Sequence, residues 1–463
     1  MTTLIPKHEQ SATGAINRPI SDKLSEIPSL NDFDTSANFN AYAATLTSPV
    51  NQAIQPQTTV RTLSSKLQES VSVKDFGAIG DGVTDDTVAI QAAIESVYTS
   101  SSESGWVLIP AGVYKISAAL YLHQGVSIFG YGATLLAAST SVPDIIIIDN
   151  PTSPTAPTSF ETHIHGLNIQ GDNNTDRNVP RAIRFDSSCV CVEIMTIKDC
   201  IIKWFIKGIE FGNNIRLVSV SDTSIITKTY GAIATCNAGA FIGDFWFTNV
   251  QFENENSAAA SVGLYCSGVN SQIAGWHFNH CVFYGNAFIS ENTSTGTGFI
   301  QDLFFDNVVN DGNAYTLTPG NVNWEFTNCN HVFFTSSWIN TAANAMSFTG
   351  CYDIQFSGGK FSSVDNFAIK FINSAWSSVN NVTFQDCNRL QTSGAGIVNF
   401  SGTTGSFRCS ATGCKVYNSV SAADTPIVLG VTDKCLVANC ITDTTNVYSN
   451  AGTGNIFANN IPA

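Results

Sequence analysis

From Trp106 onward the chain repeats one pattern: a short run of alternating apolar and polar residues, a small polar residue that ends it, then another short run or turn. Alternation with period two sends successive side chains to opposite faces of a strand. Phe245 and Phe247 are therefore expected to point inward and Trp246 and Thr248 outward, with Phe278 inward between His277 and Asn279. One apolar anchor per unit, at Leu217, Phe247, Phe278, Phe305, Phe334, Phe356, Val382, Cys409 and Val437, recurs at intervals of 22 to 31 residues. A unit of that length cannot bury its inward row alone, so it must stack on its neighbours at a strand spacing of ~4.8 Å. Roughly a dozen or more such coils fit between residues 106 and 463. The variable intervals predict loops of different lengths, which are where function is carried.

Ahead of the repeats the periodicity changes. Asp75 to Gly82 is turn-rich, and Thr84-Asp85-Asp86 offers side-chain oxygens to cap a helix whose apolar residues are Val88, Ile90, Ala93, Ile94 and Val97. Such a helix needs an apolar surface to lie on. Gly105-Trp-Val-Leu-Ile-Pro-Ala-Gly-Val-Tyr-Lys-Ile116, two strand-like runs broken by Pro110 and Gly112, supplies it.

The segment Asp75-Phe-Gly-Ala-Ile-Gly-Asp-Gly-Val-Thr-Asp-Asp-Thr87, followed by Trp106-Val-Leu-Ile-Pro-Ala-Gly-Val-Tyr-Lys-Ile116, resembles the entry to the right-handed parallel β-helix of pectate-lyase-like proteins, especially bacteriophage tailspikes. Met1-Thr-Thr-Leu-Ile-Pro-Lys7 and Ala12-Thr-Gly-Ala-Ile-Asn-Arg-Pro19 resemble the head of phage tail proteins. The resemblance implies an all-β fold: a right-handed, single-stranded parallel β-helix with a short N-terminal capping helix and a small N-terminal attachment head. It implies no particular chemistry, because lyases, hydrolases and plain receptor binders share this entry.

Residues 1–70 are expected to form the head and 71–105 the lid, with 106–463 as the β-helix. The head contains a repeat: Arg18 to Phe33 aligns with Arg61 to Phe76, sharing Arg, Lys-Leu, Glu and Asp-Phe at the same offsets. It has too few large apolar residues for a generous core, so an oligomer or a partner is expected to stabilise it. Near the other end, Asn455 to Ile461 reads as one more strand with no separate domain after it.

Charged residues make up only 12% of the chain and the net charge is −15. That balance disfavours nucleic acid as a partner, since its phosphates would be repelled. Lys7, His8 and Glu9 interrupt the only apolar start, so no signal peptide is read there, and no apolar run reaches the ~20 residues that span a bilayer. The expected setting is a virion tail made in the host cytoplasm and acting outside the host bacterium. The 13 cysteines form no pair of Cys-x-x-Cys knuckles; they are expected to be buried in the helix interior. Neither a metal nor a cofactor is expected.

If the coils stack, Trp246, His277, Phe304 and Phe333 form one outward column. An exposed aromatic column is either a platform for sugar rings or a strip buried between subunits of a homotrimer. Carboxylates near it are few: Glu253, Glu255, Asp306 and Asp311 are the catalytic candidates, with Asp302 and Glu325 also in range. Glycoside hydrolysis uses two carboxyl groups about 5 to 9 Å apart, a separation that stacked coils can supply. A lyase would instead need a base and a cation, for which Lys198, Lys203, Lys207, Arg216, Lys228, His277 and His280 are the candidates. The expected function is a homotrimeric phage tailspike that binds a bacterial capsule or O-antigen polysaccharide and cleaves it by glycosidic hydrolysis, docked to a phage tail or adaptor protein through residues 1–70. The alternatives are a non-catalytic receptor-binding or structural tail protein and a polysaccharide lyase.

Overall fold

The computed structural model describes residues 70–98, 105–150, 161–172, 178–186, 194–254, 262–293, 298–312, 321–390, 396–402, 406–417, 426–430, 432–444 and 447–462. The head with its repeat (18–33 and most of 61–76) and Glu255 lie outside these residues, as do Cys189 and Cys191. The lid and the coils belong to one compact unit, Val71–Ala463.

Helix α1 (Thr87–Val97) covers the entrance. Ile90, Ala93 and Ile94 are buried against the first coils, while Val88 is exposed, so the apolar stripe is narrower than its sequence suggests. The capping oxygens divide their work. Asp85 accepts from the Thr87 amide (3.1 Å), and Asp86 reaches back to the amides of Ile79 (2.6 Å) and Gly80 (3.0 Å). One carboxylate thus caps the helix and the other fixes the glycine-rich turn before it. At the far end of α1, His123 is buried between Asp149 (2.6 Å) and Glu95 (3.0 Å), tying the helix to two coils.

Among the described residues 38 strands, Ser70–Ser72 and Asp81–Asp85 of the lid included, join in one parallel system in which each strand pairs with its counterparts in neighbouring coils. Three faces result. The first contains Phe241–Thr248, Gln272–Asn279, Phe299–Asp306, Cys329–Thr335 and Tyr352–Ser357. The second contains Gln251–Asn254, Val282–Tyr284, Val309–Asp311 and Trp338–Ala342. The third contains Val262–Gly268, Phe288–Asn292, Val322–Thr327 and Asn344–Thr349. This is the right-handed parallel β-helix that the resemblance implies, built from the stacked coils expected from the repeats.

The interior is a ladder of like on like. Phe247, Phe278, Phe305, Phe334 and Phe356 stack at centroid separations of 4.6 to 4.9 Å with rings nearly parallel. That is the coil spacing itself, so each ring meets the next at contact distance. Val220, Val379 and Ala411 continue the column in the places expected for Leu217, Val382 and Cys409. The reason at Leu217 is a break in alternation: Leu217, Asp244, Gly275, Asp302, His331 and Asp353 occupy one register position in successive coils, and all have positive φ. A second ladder of positive φ turns the first face into the second at Asp222, Asn249, His280, Asn307 and Ser336. The left-handed region favours Gly, Asn and Asp, which accounts for much of the chain's richness in small polar residues. The 11 described cysteines are all buried and unbridged.

Candidate functional site

The aromatic column forms as the alternation predicts. Trp246 pairs with His277, His277 with Phe304, and Phe304 with Phe333. The rings stack at 5.9, 4.6 and 5.3 Å, tilted by no more than 13°. Trp246 is exposed and the other three are half-buried, so the column is an apolar strip on the outer surface of the first face.

The carboxylates expected beside it do not share one location. Asp306 lies at the end of the first face, in register with Asn279 and Thr335. Glu253 and Asp311 lie on the second face, in one outward row with Tyr284 between them. Two coil steps set their Cα atoms about 9.6 Å apart. Glu253 accepts from Gln251 Nε2 (3.4 Å) and Asp311 from Asn340 Nδ2 (3.1 Å).

The third face carries a denser arrangement. Asp144 is buried and accepts from Arg181 and Arg184. Arg181 also reaches Glu210 (3.1 Å), Lys207 pairs with the other Glu210 oxygen (2.9 Å), and Arg184 pairs with Asp186 (2.8 Å). Three cations and three carboxylates therefore neutralise one another at one end of the strip. Lys207 is in register with Tyr230 on the next coil, and Tyr230 lies 5.5 Å from Tyr265. The Tyr265 hydroxyl donates to Glu291 (2.9 Å). Burial, reinforced by that carboxylate, pushes the phenol up to about 12.

Glu291 and Glu325 close the strip. In the register Ile289 pairs with Glu325 and Glu291 with Thr327, so both glutamates point outward from adjacent coils. One coil step and two residues along the strand put their Cα atoms about 8 Å apart. Burial, and secondarily the negative charge of Glu291, raises the pKa of Glu325 above its ordinary 4.5. A carboxyl group whose pKa is raised is suited to give a proton, and a second carboxyl group within reach completes the set that glycoside hydrolysis uses. Glu325 is held from behind: its neighbour Trp324 donates through Nε1 to Asn310 Oδ1 (3.0 Å). Asn310, fully buried, donates in turn to the carbonyls of Phe283 (3.0 Å) and Gly285 (2.9 Å).

Sequence reasoning named Glu325 without a partner and passed over Glu291, which sits in a polar excursion. The signal was available in Phe288-Ile-Ser-Glu-Asn292 and Val322-Asn-Trp-Glu-Phe326, where each Glu takes an outward place in an alternating run. The cations considered for a lyase are dispersed. Lys203 lies over Trp204, Arg216 over Phe241, and Lys228 binds Asn178. Lys198 faces Asp222, His280 turns a corner, and Lys207 is in the strip. Among the described residues no group of His, Cys, Asp or Glu is arranged to hold a metal ion.

Residues 70–248 match the sequence model of the rhamnogalacturonase A/epimerase, pectate lyase-like family. The tail spike protein of Shigella phage Sf6 is 31% identical over 140 residues, covering 29% of this chain and 22% of that protein. Mannuronan C5-epimerase AlgE4 of Azotobacter vinelandii is 48% identical over 68 residues, covering 13% of this chain and 12% of the epimerase. The chain thus spans less than a quarter of the length of either relative. The tailspike protein of E. coli bacteriophage HK620, solved with a pentasaccharide, superposes with a TM-score of 0.57 at 13% identity, covering 91% of this chain and 84% of that one. Tailspike protein 3 of bacteriophage CBA120 gives 0.56 at 14% identity, with 92% and 69% covered. Residues 70–248 are thus similar to pectate-lyase-like proteins, and the fold of the chain is the parallel β-helix also seen in bacteriophage tailspike proteins.

Proposed function

We propose that the protein is a phage tailspike that binds a bacterial surface polysaccharide and cleaves it by glycosidic hydrolysis on the third face, with Glu325 as general acid and Glu291 as the second carboxyl group. The observation that carries this reading is the Glu291–Glu325 pair on adjacent coils, in which burial and a neighbouring charge raise the pKa of Glu325 while the Tyr265 hydroxyl donates to Glu291. Glu325 gives its proton to the glycosidic oxygen as the bond from that oxygen to the anomeric carbon breaks. Glu291 either attacks the anomeric carbon, forming an intermediate that water then hydrolyses, or takes a proton from an attacking water. Tyr230 and Tyr265 offer ring faces to the neighbouring sugars, and the neutralised ion network beyond them suits a chain of low charge.

Glu253 and Asp311 form a second candidate pair, favoured by their shared outward row on either side of Tyr284. Glu255 and Asp306 complete the set of carboxylates proposed from sequence. The column Trp246, His277, Phe304 and Phe333 serves as a sugar platform or is buried between the subunits of a homotrimer. Residues 1–70 attach the spike to a phage tail or adaptor protein, and the β-helix acts outside the host.

Incubation of the purified protein with capsule or O-antigen from a panel of bacterial strains, followed by sizing of the sugar, tests the reading. Shorter chains with new reducing ends are expected. An unsaturated product absorbing in the near ultraviolet would assign a lyase, and binding without shortening would leave a receptor-binding protein.

A further inference from the structure

The first coils carry an open cleft of about 430 Å³ on the outer surface of the first face, within the range of small-ligand sites. Trp106 and Phe129 line it, with Ser127, Glu161 and His163 beside them. Trp106 exposes 43% of its surface. It is braced edge-to-face by Phe129 at 5.3 Å, and Phe129 is braced in the same way by His165 at 5.0 Å. His163 Nε2 lies 3.5 Å from a Glu161 carboxylate oxygen, and the His163 amide donates to Ser127 Oγ (3.1 Å). The Glu161 side chain is about half exposed. Following the pairings from Trp106 to Gln272–Asn279 takes six coil steps, about 29 Å, so the cleft is remote from the coil that carries Glu291.

We propose that this cleft is a carbohydrate subsite separate from the hydrolytic strip, taking one uncharged sugar residue. An exposed, braced indole offers a flat apolar surface to the C–H face of a pyranose ring. The rim offers the Glu161 carboxylate, about half exposed, which accepts from sugar hydroxyls and has the His163 imidazole beside it. An apolar side chain of a protein partner would cover Glu161 and His163 without replacing their water, at a cost in free energy. An anionic sugar would meet the Glu161 charge with no Lys or Arg among the lining residues to offset it. The assignment rests on the lining of the cleft and is independent of what Glu291 and Glu325 do.

The test uses the full chain carrying Glu325→Gln, labelled with 5-fluorotryptophan, with the Trp106 fluorine resonance identified by Trp106→Phe. Glucose, galactose, rhamnose and N-acetylglucosamine are titrated separately, with cyclohexanol as an apolar control. At least one sugar is expected to shift the Trp106 resonance saturably while cyclohexanol does not, and Glu161→Gln is expected to weaken that sugar about tenfold, the equivalent of one hydrogen bond to a charged group. No shift with any of the four sugars, or an equal shift with cyclohexanol, overturns the proposal. Hydrolysis retained in the Glu325→Gln protein with the shift intact would overturn the hydrolytic reading and leave the cleft standing, so the two readings fail separately.

Discussion

Glu291 and Glu325 face outward from adjacent coils, and burial together with the charge on Glu291 raises the pKa of Glu325. The larger cause is burial, which Glu291→Gln leaves in place. The substitution should therefore lower the Glu325 pKa without returning it fully to 4.5, read from the carboxyl carbon resonance of Glu325 across a pH titration. If the proposed hydrolysis holds, its rate in the wild-type protein should fall as pH rises through that raised pKa, because a general acid must hold its proton. An unchanged Glu325 titration in the Glu291→Gln protein would show that the two groups do not interact.

Asn310 links the core to the site. Asn310→Leu leaves Trp324 Nε1 and the carbonyls of Phe283 and Gly285 without their partner. Unsatisfied buried groups of this kind should cost about 3 kcal/mol of stability. Hydrolysis should fall too, because the strand bearing Glu325 loses its anchor. Thermal unfolding and the rate of chain shortening are the measurements; a variant as stable as wild type would refute the role given to Asn310.

The His123 clamp makes the lid sensitive to pH. Burial pulls the imidazole pKa down, but the hydrogen bonds to Asp149 and Glu95, with their charges, outweigh it and the net shift is upward from 6.5. A raised folded-state pKa means that the stabilisation is fully present below pH 6.5 and is lost as pH rises through the folded value. The melting temperature of the lid should therefore fall over that window, and His123→Ala should flatten the dependence while costing roughly 3 to 5 kcal/mol through the stranded Asp149 carboxylate. A wild-type profile as flat as that of the variant would contradict the clamp.

The described cysteines are all buried and should be out of reach of reagents in the native state. Burial pushes the thiols of Cys281 and Cys387 up to about 12, which removes the reactive thiolate at neutral pH. In a Cys189→Ser, Cys191→Ser background, a thiol-reactive dye should label nothing until denaturant is added. Rapid labelling without denaturant would show that the coils open.

The coil pattern was legible because a parallel β-helix repeats its burial at short range. Phe245 inward and Trp246 outward follow from alternation alone, and the stack from Trp246 to Phe333 follows from adding a coil spacing. Alternation failed where one residue per coil has positive φ, as at Leu217, because such a residue shifts the facing of every later position in the strand. The carboxylates were harder to place. Asp306 and Asp311 are five residues apart but lie on different faces, since Asn307 turns the chain between them. Glu291 and Glu325 are 34 residues apart in number and one coil apart in space, a relation set by the length of the intervening coil. The pKa of Glu325 depends on burial, which alternation does not report.

The most direct test of the central claim compares chain shortening by the wild-type protein and its Glu325→Gln, Glu253→Gln and Asp311→Asn variants on one susceptible polysaccharide, with binding measured in parallel. Glu325→Gln is predicted to slow shortening by about 10³-fold with binding retained, while Glu253→Gln and Asp311→Asn keep most of their activity. Full activity in Glu325→Gln, with activity lost in Glu253→Gln or Asp311→Asn, would contradict the claim and move the chemistry to the second face.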